Sequence, residues 1–114
     1  MRFEIVVAAS EEELGHQAHA LLTDVISEAQ IDDPQIDIVH VRSDDDAREL
    51  RCLGSPTIRV EGFDVEYAER EPPERSAGAR YYSTPSGWKR LPEPGMIRFA
   101  IDEARGRTSE QAES

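Results

Sequence analysis

The sequence predicts an α/β fold in the order β-α-β-α-β-β-α, with a four-stranded mixed sheet and flanking helices. Three observations carry this prediction. Stretches rich in β-branched residues recur around 3–7, 35–42 and 58–62. A long segment with apolar residues at helical spacing separates the first two. Short βαβ links imply parallel pairing of the first strands, whereas the third and fourth can pair antiparallel.

In the first strand Phe3, Ile5 and Val7 alternate with Glu4 and Val6. The apolar Val6 implies that both faces of this strand are covered. Ser10 is expected to cap the following helix, with Glu13 completing a capping box. Glu11, Glu12 and Glu13 place negative charge on the first turn, where the helix dipole favours it. Leu14, Ala18, Leu21, Leu22, Val25, Ile26 and Ala29 form one apolar stripe, and the helix should end near Gln30. Asp32-Asp33-Pro34 reads as a turn into a second strand over 35–42.

Ser43 then caps a short helix with Asp44, Asp45 and Asp46 in its first turn. Ala47, Leu50 and Leu53 should face inward, and Gly54 should stop the helix. Gly54-Ser55-Pro56-Thr57 is a sharp turn leading into an alternating strand over 58–62. The polar stretch 64–78, with Pro72-Pro73, reads as an irregular excursion. A fourth strand is expected over 79–83, then a turn over 84–87 and some extended structure over 88–91. Pro94 suits the first turn of a last helix, whose apolar face is Ile97, Ala100, Ile101 and Ala104 and which Gly106 should end. The 114 residues fit one domain over 1–106, with a disordered polar tail over 107–114.

Thirteen basic and 24 acidic side chains give a net charge of −11. Such a chain repels phosphate backbones, so no nucleic-acid partner is expected. The acidity fits solubility through self-repulsion, or adaptation to high salt. A single cysteine excludes an internal disulfide, a CxxC pair and a cysteine-rich zinc site. The N-terminal apolar run is too short to span a membrane and lacks the parts of a signal peptide, so a cytoplasmic protein with no membrane partner is expected. Nothing in the residues implies a cofactor.

The segment Leu53-Gly54-Ser55-Pro56-Thr57-Ile58-Arg59-Val60-Glu61-Gly62 resembles the GSPT segment of small bacterial and archaeal thioredoxin-like proteins, some of them described as alkylmercury lyase-like. Ala79-Arg80-Tyr81-Tyr82-Ser83-Thr84-Pro85-Ser86-Gly87-Trp88 is similar to that family's C-R-x-Y segment and the turn after it. The resemblance covers roughly residues 1–105 and implies a thioredoxin-like fold. It implies that Pro56 is a cis-proline, on a loop beside the active-site loop that follows the first strand. That junction here reads Ala9-Ser10-Glu11-Glu12-Glu13-Leu14. Glu11 and Leu14 stand where the family's C-P-x-C pair would fall, and Ala79 replaces a further cysteine. Dithiol exchange needs an attacking thiolate and a resolving partner, and this junction offers neither. The expectation is a degenerate active site on a redox-type scaffold.

Three functions follow in rank order. The first is a non-catalytic thioredoxin-like domain that binds a protein partner or forms a homodimer, with Arg80, Tyr82 and Trp88 as the interface. Strand alternation sends Tyr81 and Tyr82 to opposite faces, so one of them can be core. The second is a thiol-dependent oxidoreductase or mercurial-handling protein using Cys52 near Pro56, with Arg48 or Arg51 supporting the thiolate. The plainer reading of Cys52 is a small buried hydrophobe. The third is metal binding by Glu12, His16 and His19 on one helix face. The plainer reading of those three residues is a solvated polar face, because an isolated HxxH spacing is a weak motif and Thr23, one turn after His19, is a poor ligand. His40, alone in a strand, reads as structural. The acidic runs 11–13 and 44–46 read as helix capping rather than catalysis.

Overall fold

The structure is a computed structural model that describes residues 1–113, with side chains over residues 1–107. In chain order its elements are β1 (Arg2–Ala8), α1 (Glu12–Glu28), β2 (Gln35–Val41), α2 (Asp44–Glu49), β3 (Leu53–Ser55), β4 (Thr57–Val60), β5 (Phe63–Asp64), β6 (Ser76–Ala79), β7 (Tyr82–Thr84), β8 (Gly87–Lys89) and α3 (Pro94–Glu113). The class is mixed α/β, with a four-stranded mixed sheet and three helices, as expected. The sheet order is β2-β1-β4-β5. β1 pairs in parallel with β2 and antiparallel with β4, and β5 pairs antiparallel with β4.

Strand alternation divides β1 between two cores. Phe3, Ile5 and Val7, joined by Ile58 and Val60, meet the α1 stripe (Ala18, Leu22, Val25, Ile26) and the α3 residues Ile97, Ile101 and Ala104. Val6 points the other way and meets Val41, Ala47 and Cys52. Both faces of β1 are therefore covered. Burying each large aliphatic side chain contributes roughly 1.5–3 kcal/mol, so the larger face dominates the stability of the domain.

Several local expectations are corrected. The capping box at Ser10 does not form. After β1 the chain makes a tight turn in which the Glu11 N–H donates to the Ala8 carbonyl at 2.9 Å, so Glu11 takes the cap position, without a side-chain cap bond. Ser43 does cap α2, its Oγ accepting from the Asp46 N–H at 3.1 Å. α2 ends at Glu49, not at Gly54. Arg51 takes a left-handed conformation (φ 57°), and the Cys52 N–H returns to the Ala47 carbonyl at 2.8 Å. Leu50 is thereby left exposed. Gly54 lies within β3 at φ 119°, where a Cβ would come within 2.8 Å of Arg80 Cβ. Glycine is needed there because two backbones approach closely.

The strand expected over 58–62 is buried along its whole ordered length, Thr57–Val60, because Glu71 covers Arg59. The expected strand over 79–83 does not form. Only its first residue, Ala79, belongs to β6, which pairs in parallel with β3; Arg80 and Tyr81 lie in no strand, and Tyr82 begins the β7–β8 hairpin. The short β5 supplies the sheet's fourth strand instead. The chain divides at Arg80 because this side chain turns inward to Asp64. α3 does not stop at Gly106 but runs on to Glu113. Of the tail expected over 107–114, Ser114 and the side chains of 108–113 lie outside the described residues. Among the described residues no helix is long and apolar enough to cross a membrane.

Candidate functional site

The end of β1, the start of α1 and the turn into β4 meet at one place. The Ser55–Pro56 peptide bond is cis. The Ala8 N–H donates to Ser55 Oγ at 2.8 Å, which ties the turn to the end of β1. The Ser55 carbonyl accepts from the Arg80 N–H at 2.8 Å and from Arg90 Nη2 at 3.1 Å. Arg90 Nη2 also donates to both carboxylate oxygens of Glu11, at 2.8 and 2.6 Å. On its other side the Arg90 guanidinium lies 5.6 Å from the centroid of the Tyr81 ring. Arg90 therefore links the helix start, the cis-proline turn and an aromatic side chain.

Burial acts to raise the Glu11 carboxyl, but hydrogen bonds with Arg90 and Ser55 and the Arg90 charge hold it below its ordinary value of 4.5. A depressed carboxylate contributes stability above its unfolded value, and this is lost as pH falls through the folded value. Glu11→Gln is expected to cost about 1 kcal/mol at neutral pH. The gap between variant and wild type should close as the pH falls below 4.5, which urea midpoints measured across that range will show.

Beneath this junction lies a buried polar cluster. Arg80 donates from Nη1 and Nη2 to the two oxygens of Asp64, both at 2.7 Å. Its guanidinium stacks over the Tyr82 ring at 4.1 Å and the Tyr67 ring at 5.1 Å. The Tyr82 hydroxyl donates to the Pro56 carbonyl at 2.6 Å. Burial drives the Tyr82 phenol far above the usual tyrosine range, with the Arg80 charge only partly opposing it. Burial works against the Arg80 charge, but the hydrogen bonds and charge of Asp64, together with Tyr82 and Glu66, outweigh it and hold the guanidinium protonated. Asp64 Oδ2 also accepts the N–H groups of Glu66 and Tyr67, at 3.0 and 2.9 Å. A second buried pair anchors the excursion further along, where Arg59 donates from Nε and Nη2 to Glu71, at 3.1 and 2.8 Å.

The anticipated site residues are not brought together. Cys52 is 0% exposed and packs with Val6, Val41 and Ala47. Thr57 Oγ1 lies 3.8 Å from its sulfur. Arg51 pairs with Glu71 and Arg48 with Asp45, so both expected supports of a thiolate are engaged elsewhere. Glu12 and His16 come within 4.0 Å on the exposed face of α1. Among the described residues no group of three or more histidine, cysteine or carboxylate side chains is placed to hold a metal ion. Of the expected interface trio, Arg80 and Tyr82 are buried, because one pairs with Asp64 and the other reaches the Pro56 carbonyl. Trp88 is 71% exposed, and Tyr81, rather than Tyr82, shares the surface with it at 54%. The β7–β8 register sets Ser83 opposite Trp88. Continued by two residues, it sets Tyr81 opposite Arg90, so Trp88, Arg90 and Tyr81 share one face of the hairpin.

The functional residues that sequence reasoning missed are Arg90 and Asp64. A lone arginine and a lone aspartate carry no local signal, and only the fold places them. No family model matches the chain, and no curated protein or solved structure matches it.

Proposed function

We propose that this chain is a thioredoxin-like domain without redox chemistry, which binds a protein partner through the hairpin face bearing Tyr81 and Trp88. The sheet order β2-β1-β4-β5 supports the thioredoxin-like reading, as do its one parallel and two antiparallel pairings and a cis-proline turn beside the first strand–helix junction.

The observation that carries the functional reading is the dual contact of Arg90. Its Nη2 closes the helix–proline junction onto Glu11, where the resembling family would hold a thiol. Its guanidinium plane also backs Tyr81 beside the exposed Trp88. An ion pair at that position has no nucleophile or redox-active group to offer. A rigid tyrosine–arginine–tryptophan face has the composition of interface anchors, which present large contact area at small cost in conformational entropy.

The test uses a photo-crosslinking residue at position 88 in the intact chain. It should capture one discrete protein that the same probe at the exposed position 16 does not. The untagged Tyr81→Ala/Trp88→Ala variant, checked for an unchanged fold by circular dichroism, should bind that protein at least about tenfold more weakly. Identical capture from positions 88 and 16, or undiminished binding by the double variant, would remove the hairpin as the binding face.

A further inference from the structure

Charged residues of alternating sign meet at one end of the main sheet. The register of β1 with β4 sets Glu4 opposite Arg59. Two residues further along each chain, Arg2 meets Glu61. The Glu61 N–H donates to the Arg2 carbonyl at 2.8 Å, and the Glu61 carboxylate accepts the Arg2 N–H at 2.7 Å. These four residues line a cavity of about 250 Å³, and Arg51, from the turn after α2, lines it as well. The lining therefore carries three guanidiniums against two carboxylates. That is a local excess of positive charge in a chain whose net charge is −11.

Arg59 is 2% exposed, and Glu71 engages its Nε and Nη2. Its Nη1 lies toward Glu4, whose Oε1 stands 3.5 Å away, an ion-pair distance without hydrogen-bond geometry. Among the described residues this Nη1 is buried and has no hydrogen-bond partner. Leaving a buried donor unmatched is costly, and more so on a charged group. Arg51 is also loosely committed. It reaches Glu71 only at 3.4 Å, and more than half of its side chain is exposed. The Arg51 carbonyl accepts from Arg59 Nη2 at 2.6 Å, which ties the two arginines together.

We propose that this cavity binds the carboxylate of a small organic acid, held by Arg51 and by Nη1 of Arg59. A guanidinium matches a carboxylate in shape and charge, and the bond satisfies the unmatched donor. Glu4 is the internal rival for that donor. It is partly exposed, so its side chain can turn outward and yield the place to the ligand. Glu4 and Glu61 also set the ligand's charge, because they repel a dianion such as phosphate more strongly than a single carboxylate. The volume of about 250 Å³ sets its size. It lies below the ~300–1,000 Å³ of pockets for drug-sized ligands, so an acid of a few carbons fits.

An NMR titration of the ¹⁵N-labelled full chain tests this, with butyrate, inorganic phosphate and chloride compared at constant ionic strength and neutral pH. Butyrate should shift the amides of Glu4, Arg59 and Gly62 along a saturating curve, and phosphate should bind more weakly. Arg51→Asn should raise the Kd for butyrate at least about tenfold. Arg51 has a left-handed backbone (φ 57°), which asparagine tolerates well, so this variant should keep the fold. Glu4→Gln removes the rival charge and should lower the Kd. Glu12→Gln, which removes the same charge from the exposed face of α1, should leave it unchanged. Should Arg51→Asn fail to fold, Glu4→Gln decides the matter. The absence of a saturable shift overturns the proposal, as does an unchanged Kd in Arg51→Asn or a raised one in Glu4→Gln. Equal saturation by chloride also overturns it and leaves an adventitious ion only, and tighter binding of phosphate overturns the carboxylate assignment. None of these outcomes bears on the hairpin reading, because Trp88 lies in a separate two-stranded sheet.

Discussion

Asp64→Ala is expected to lower folding stability by about 3–5 kcal/mol, a large share of the ~5–15 kcal/mol that typically holds a domain together. The loss has two parts. The Arg80 guanidinium remains buried, with only Glu66 Oε1 at 3.4 Å to face its charge. The N–H groups of Glu66 and Tyr67 also lose their acceptor, and with it the turn that begins the long excursion. Urea denaturation of wild type and variant measures the difference through the transition midpoint.

The ion pair itself is a different quantity from the cost of breaking it. A well-packed apolar replacement of both partners, Asp64→Leu/Arg80→Met, is expected to recover much of the loss, because no charge is then left in the core. A loss below about 1 kcal/mol in Asp64→Ala would place this pair with ordinary surface ion pairs, against its burial.

The residues that fold by local rules were legible in the sequence. The alternation of Phe3, Ile5 and Val7, the apolar Val6 between them, the α1 stripe and the Ser43 cap all act within a few positions, and the structure shows each. Periodicity also separated Tyr81 from Tyr82 correctly, but the expectation that put Tyr82 on the exposed interface chose the wrong one, since Tyr82 is buried and Tyr81 exposed. The inward residue is set by the Pro56 carbonyl, which Tyr82 reaches across 26 residues of sequence.

The parts that were not legible share one cause. Arg59, Arg80 and Arg90 carry no local signal for burial, yet each is drawn inward by a carboxylate distant along the chain. The separations are 12 residues to Glu71, 16 to Asp64 and 79 to Glu11. No window of sequence contains such pairs. The same absence of signal displaced the fourth strand, because Arg80 divides 79–83 at the point where it turns toward Asp64. It also made Glu11 look like helix capping alone, when its carboxylate is held by an arginine from beyond β8. The sheet completes itself with the two-residue β5 because the buried Asp64 fixes the chain there.

Cys52 decides whether thiol chemistry has any place in this domain. Its side chain is 0% exposed and sits behind Ala47 and Val41, so a reagent reaches it only through an opening of the fold. For small domains the equilibrium between closed and open forms commonly lies at ~10³ or more. Iodoacetamide labelling of the native chain in mild alkali should therefore be at least about a thousandfold slower than labelling in denaturant. The native rate should also rise in step with added urea. The contradicting result is rapid, stoichiometric labelling of native Cys52 at neutral pH, which would reveal an accessible thiolate and a thiol-dependent function beside Pro56.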